Sequence, residues 1–213
     1  MNDRPNLVYI LADDMGYGDL SCLNPESKIR TAHLDRLAAG GIRFTDAHAS
    51  SAVCTPSRYS ILTGRYNWRS ALKEGVVWGY SPPLIEEGRM TVASLLKRHG
   101  YHTAAIGKWH LGWEWAKWGP GEADVDFSKP IANGPCAFGF DHFFGISASL
   151  DMPPYVYVEN DRATAVPDRQ DPGCDGAPSG ANAGFRFWRP GPAAPDFRHE
   201  EVLPELTRRA EAH

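Results

Sequence analysis

The first apolar stretch of the chain, Leu7-Val8-Tyr9-Ile10-Leu11-Ala12, is unbroken and rich in strand formers. That is the pattern of a strand buried on both faces. Asp13 and Asp14 end it. Thr31 can then cap a short helix carrying Leu34, Leu37 and Ala38, which Gly40-Gly41 would terminate. Residues 42–45 read as the next strand, with Ile42 and Phe44 on one face. A second helix is predicted after Thr91: Val92, Leu95 and Leu96 share a face, Lys97 and Arg98 sit in the last turn, and Gly100 ends it. Residues 101–106 form a further strand candidate. Strand and helix signals alternating in this way predict an α/β fold, a central, mostly parallel sheet flanked by helices.

The pattern changes in the second half. Residues 119–195 hold 11 of the 17 prolines and 10 of the 21 glycines, so this stretch is expected to be loop-rich. Within it, residues 168–183 nearly lack large apolar side chains and are expected to form a mobile insertion. Order resumes near His199, where Val202, Leu203 and Leu206 lie at helical spacing; Pro204 fits only if it falls in that helix's first turn. The expected organisation is an α/β core over 1–118 carrying the motifs, a loop-rich segment over 119–195 and a terminal helix over 196–213. No internal repeat is visible.

Composition narrows the function classes. The chain has 213 residues, 42% hydrophobic and 23% charged, which suits a packed core rather than disorder. Its 22 basic against 26 acidic residues and net charge of −4 argue against nucleic acid or an anionic membrane surface as the main partner. No segment approaches the roughly 20 apolar residues of a membrane span. Residues 7–12 are too short for a signal-peptide core, so the chain as written is expected to be cytoplasmic, with export open if its N-terminus is incomplete. Cys22, Cys54, Cys136 and Cys174 are scattered, which supports neither a zinc knuckle nor a disulfide framework.

Three features fall at the carboxyl ends of predicted strands, where open α/β sheets bind ligands. Asp13-Asp14 is the first. Adjacent carboxylates repel unless a cation neutralises them, and hard divalent metals take oxygen ligands; an acidic loop leading into Gly16 is the plain alternative. The second is Cys54-Thr55-Pro56-Ser57-Arg58, followed by Leu62-Thr63-Gly64-Arg65. Pro56 suits a first helical turn, which sets Cys54 at the helix N-terminus, and Arg58 can turn back towards it. A cysteine-phosphatase loop is excluded, because it places five residues between Cys and Arg and three stand here. A buried structural cysteine beside a surface arginine is the alternative. The third is Gly107-Lys108-Trp109-His110-Leu111-Gly112. If the strand continues past Ile106, Lys108 and His110 point the same way. A cation and an imidazole on one face suit an anionic ester, although a solvated lysine and a core-edge histidine would read identically.

Taken together and in this order, the motifs resemble the sulfatase family of the alkaline-phosphatase-like superfamily. The resemblance runs over residues 6–150 and includes Gly139-Phe140-Asp141-His142-Phe143-Phe144-Gly145 and Ser147-Ala148-Ser149. It implies a sulfuric ester hydrolase acting on aryl or carbohydrate sulfate esters. By that resemblance Cys54 is oxidised to formylglycine (3-oxoalanine) by a formylglycine-generating or other sulfatase-maturing enzyme. The aldehyde hydrate then attacks sulfur and afterwards eliminates sulfate. Asp13, Asp14 and the Cys54-derived oxygen would ligate one calcium ion. Arg58 would hold the hydrate, Lys108 the sulfate, His110 would act as base for elimination, and Ser149 would contact sulfate or hydrate. Asp141-His142 is set aside as a metal pair because its flanks fit a structural segment.

Sulfatases also carry a later acidic–amide pair on calcium, a downstream histidine and lysine on sulfate, and a smaller C-terminal domain. None is matched before His213, so the resemblance is to an N-terminal portion, whose half metal site should bind calcium weakly. Two alternatives stand beside the sulfatase reading: a phosphonate or phosphate ester hydrolase of the same superfamily, and an inactive truncated fragment. Loops around 68–83, 113–118 and 150–157 would line the substrate pocket. Their aromatic content suits a ring or a sugar face, and equally ordinary packing.

Overall fold

The structure, a computed structural model, describes residues 4–122, 124–176 and 186–213. It forms two compact units, Met1–Ala49 and Ser50–His213.

In the first unit helix α1 (Ala32–Gly40) follows Thr31 as expected. The Thr31 hydroxyl, however, does not cap a helix amide. It donates to Asp35 Oδ1 at 2.7 Å and accepts the Ser21 amide at 2.9 Å, while Ser21 Oγ donates to Asp35 Oδ2 at 2.6 Å. Hydrogen bonds from Ser21, then Thr31, hold the Asp35 carboxyl below its usual range. Neither residues 7–12 nor 42–45 form a strand. A strand is defined by its ladder, and among the described residues neither segment has a ladder partner. Val8, Ile10, Ile42 and Phe44 are accordingly exposed.

The second unit carries the α/β architecture. Helices α2 (Cys54–Thr63) and α3 (Val92–Arg98) precede strand β1 (Ala104–Lys108). This strand pairs in parallel with β2 (His142–Ile146), from Ala104 opposite His142 to Lys108 opposite Ile146. β3 (Val158–Glu159) and β4 (Arg162–Ala163) add antiparallel strands, so the four-stranded sheet is mixed, in the order β1-β2-β3-β4. β5 (Arg169–Asp171) pairs with β8 (Gly191–Ala193), and β6 (Cys174–Asp175) with β7 (Phe187–Trp188). The stretch expected as a mobile insertion is thus described as far as Gly176, where it forms β5 and β6; residues 177–183 lie outside the described residues. Helix α4 (Val202–Ala212) closes the chain.

Local chemistry explains these elements. Thr91 caps α3 reciprocally with Ser94, each side-chain oxygen accepting the other's amide at 2.9–3.0 Å. Gly107 lies opposite Gly145, where a Cβ on Gly145 would stand 1.7 Å from the Gly107 carbonyl oxygen. The β1–β2 contact therefore requires glycine. β2 arises in the segment expected to be loop-rich because Phe143 and Phe144 are both buried, giving a two-sided core strand without alternation. Trp109 packs edge-on against Phe140 and Phe143 and stacks on Phe138. In α4, Pro204 sits in the first turn as required; Val202 is buried and Leu206 packs on the core, but Leu203 is exposed, so the three do not share a face. Among the described residues no helix is long and apolar enough to cross a membrane.

Asp141 ties these parts together. Lys97, in the last turn of α3, reaches Asp141 Oδ1 at 2.6 Å, and the Thr103 amide donates to Oδ2 at 3.0 Å. Lys97 first, then Thr103, lowers the Asp141 carboxyl to about 2. A depressed folded-state value stabilises the fold above the unfolded value near 4, and that stability fades as pH falls from about 4 to about 2. Asp141→Asn should therefore be less stable than the parent in urea unfolding at pH 7, and the gap should close by pH 2. A gap of constant size across that range would contradict this assignment.

Candidate active site

The site is built on the first turn of α2. Val53 is extended (φ −131°, ψ 164°) and Cys54 is the first helical residue. Pro56 is accommodated because first-turn amides need no intrahelical acceptor. Ser57 Oγ donates to the carbonyls of Val53 (2.8 Å) and Ser51 (2.9 Å), which fixes the approach to the helix. At the far end Gly64 (φ 65°) stops the helix, its amide donating to Ser60 O at 2.9 Å. Tyr59, fully buried, donates to Glu86 Oε2 at 3.0 Å, and Arg65 and Arg89 pair with the same carboxylate. Burial raises the Glu86 carboxyl, but its own amide, Tyr59 and Arg89 outweigh that and leave it below its usual range. The helix is thus anchored, with half-buried Cys54 at the end where backbone N–H groups favour an anion.

Two side chains of α2 join it to the end of β1. The Arg58 guanidinium donates to the Lys108 carbonyl. Thr55, fully buried, donates to the His110 carbonyl at 2.9 Å and accepts the Val77 amide at 3.2 Å. His110 is itself fully buried, and its Nε2 lies 2.8 Å from the Val77 carbonyl. A carbonyl can only accept, so Nε2 carries the proton and Nδ1 is the basic nitrogen. Lys108 Nζ donates to Ser149 Oγ at 3.4 Å.

The strand-alternation expectation for Lys108 and His110 needs correction. β1 ends at Lys108, although its pairing with the chain after β2 continues through the amides of Trp109 (to Ile146 O, 3.0 Å) and His110 (to Ser147 O, 2.9 Å). His110 then turns to φ 55°, a left-handed conformation unusual for a residue other than glycine. The two side chains are placed by this turn and by Thr55, not by a period of two.

Arg58, Lys108, His110 and Ser149 are therefore linked to the helix that begins at Cys54. Asp13 and Asp14 belong to the first unit, in the turn after residues 7–12, joined by a cis peptide bond. Their two carboxylates have the chemistry calcium takes but supply only part of the six to eight oxygens it needs. Among the described residues no group of three or more His, Cys, Asp or Glu side chains forms a metal cluster. Thr55 and the Val77 carbonyl were missed from sequence. Thr55 occupies the variable position of the Cys-x-Pro-Ser-Arg string, and a lone threonine there carries no signal of burial.

Comparison with known proteins gives a consistent result. The family model described as Sulfatase matches residues 5–183. An N-acetylgalactosamine-6-O-sulfatase of Bacteroides thetaiotaomicron is 43% identical over 171 residues, 80% of this chain and 32% of that protein. Human arylsulfatase A is 43% identical over 150 residues, 70% of this chain and 27% of that protein. A solved structure from work on glycosaminoglycan metabolism by B. thetaiotaomicron superposes with a TM-score of 0.80 at 33% identity, covering 99% of this chain and 48% of that one. The chain thus spans between about a quarter and a third of the length of these curated relatives.

Thr55→Val removes a buried donor to His110 and a buried acceptor for Val77. It should cost about 1–3 kcal/mol in denaturant unfolding, whereas Thr55→Ser should stay within about 1 kcal/mol of the parent. A Thr55→Val protein as stable as the parent would refute the clamp.

Proposed function

The chain belongs to the sulfatase family, and on that premise we propose that it carries the nucleophile side of a sulfuric ester hydrolase that cleaves organic sulfate esters to alcohol and sulfate. The observation that carries this reading is the joint between α2 and β1. It ties a half-buried cysteine's helix N-terminus to two cations, Arg58 and Lys108, and to a basic imidazole nitrogen on His110.

Such an arrangement suits a tetrahedral anion. Arg58 and Lys108 supply charge-assisted donors for sulfate oxygens, whose negative charge grows as the ester bond breaks. Ser149 orients the Lys108 ammonium. His110, its Nε2–H held by Val77, keeps Nδ1 as the atom that takes up and returns a proton. Cys54 is the residue for conversion to formylglycine by a maturing enzyme, the partner this reading requires. The aldehyde hydrate would supply an oxygen nucleophile and a second hydroxyl whose deprotonation re-forms the aldehyde and expels sulfate. Asp13 and Asp14 are the residues that would hold calcium, and the ion supplies positive charge against the anion. The names of the relatives point to carbohydrate sulfates, with N-acetylgalactosamine 6-sulfate as the first substrate to try and an aryl sulfate as a chromogenic surrogate.

Co-expression with a formylglycine-generating enzyme, followed by mass spectrometry of the Cys54 peptide, should show the thiol replaced by an aldehyde. The modified chain should hydrolyse aryl sulfate faster than aryl phosphonate, Cys54→Ala should abolish turnover, and His110→Ala should lower kcat about 10²–10⁴-fold. An unmodified thiol, a Cys54→Ala protein of full activity, a chain without turnover, or a phosphonate preference would each overturn part of this assignment.

A further inference from the structure

Three loops far apart in sequence meet beside the site. Trp78 follows Val77, whose carbonyl holds His110, and Asp151 lies two residues beyond Ser149, which holds Lys108. Two extended residues span at most about 7 Å, so Asp151 is close to the lysine's partner. Arg189 comes from the third loop. Its guanidinium donates to the Asp151 carboxylate, and its carbon lies 4.9 Å from the centre of the Trp78 ring and 5.1 Å from that of Phe187. The backbone joins as well, Arg189 N donating to Asp151 O at 3.1 Å.

This grouping is rigidly held. Pro153 is packed between the other two loops. A Cβ on Gly79 would lie 2.0 Å from the Pro153 carbonyl oxygen, and one on Gly191 2.3 Å from Pro153 Cβ. Both glycines are needed for the loops to close on the proline. The Tyr155 hydroxyl adds a 2.5 Å hydrogen bond to the Arg189 carbonyl. Trp78 nevertheless stays 46% exposed and the Arg189 side chain 37% exposed. The guanidinium carbon lies over one face of the indole, and the part of the ring it leaves exposed offers apolar surface that a ligand can cover.

We infer that Trp78, Asp151 and Arg189 form a second sugar subsite, which takes the residue next to the sulfated one in an oligosaccharide. The inference rests on the sulfate-ester reading of the neighbouring site. The flat indole face matches the C–H face of a pyranose ring, while Asp151 accepts from its hydroxyls and Arg189 donates to them. Because the carboxylate offsets the guanidinium charge, the ring favoured here is a neutral hexose. Its fixed loops keep the ordering cost of binding small.

The test is calorimetric titration of the full chain, which needs no turnover. The ligands are N-acetylgalactosamine 6-sulfate, a disaccharide joining that sugar to one neutral hexose, and the unsulfated form of each. The additional hexose should tighten binding about tenfold, with or without sulfate. Trp78→Ala should erase that gain and leave affinity for the monosaccharide within about twofold of the parent, and Trp78→Phe should keep part of it. A hexose that adds no affinity, a gain that survives Trp78→Ala, or an equal loss for mono- and disaccharide in both variants would overturn the subsite. The effect of removing sulfate bears on the reaction assignment alone, so failure of one reading is distinguishable from failure of the other.

Discussion

Everything in the site depends on how helix α2 is fastened to the end of β1. Thr55 and Arg58, one turn apart, each spend a side-chain donor on a backbone carbonyl just past the strand, at His110 and Lys108. Such bonds position main chain rather than side chain. The side chains of Lys108 and His110 are therefore set by a backbone that cannot move without breaking buried hydrogen bonds. The Val77 segment is held in the same way, since its amide and carbonyl face Thr55 and His110. One threonine thus couples the helix that begins at Cys54, the imidazole and the loop that presents Trp78.

The electrostatics follow from that joint. Two cations near a helix N-terminus would repel one another and the positive end of the helix dipole if nothing negative were present. Within the joint Arg58 donates to the Lys108 carbonyl and Lys108 to the Ser149 hydroxyl. Lys97 and Arg189 have their charges matched by Asp141 and Asp151.

Much of this was legible in the strings themselves. Cys54 through Arg58 encodes a helix start through Pro56 and an arginine one turn on, and the structure has both. Thr91 and Gly100 likewise mark the bounds of α3, while the reciprocal cap from Ser94 emerges only in the structure. Other features depend on partners remote in sequence. Residues 7–12 have every local mark of a strand, yet a strand exists only with a neighbour to bond. β2 escaped notice because burial on both faces removes the alternation that announces a strand. The left-handed turn at His110 is bonded on both sides, its carbonyl to Thr55 and its amide to Ser147, partners that no pattern around Lys108 reveals. The meeting of Trp78 with Arg189 needed Gly79 and Gly191 to close on Pro153, a steric fact that glycine content alone does not disclose.

The central claim is that the α2 N-terminus, Arg58 and Lys108 together bind a tetrahedral oxyanion. It can be tested on the unmodified chain by titrating inorganic sulfate while recording backbone amide and arginine side-chain NMR shifts. Saturable shifts are expected on the amides of Cys54 and Thr55, on the Arg58 guanidinium and on the Lys108 segment, all lost in Arg58→Met. Shifts that are absent, that never saturate, or that persist unchanged in Arg58→Met would contradict it.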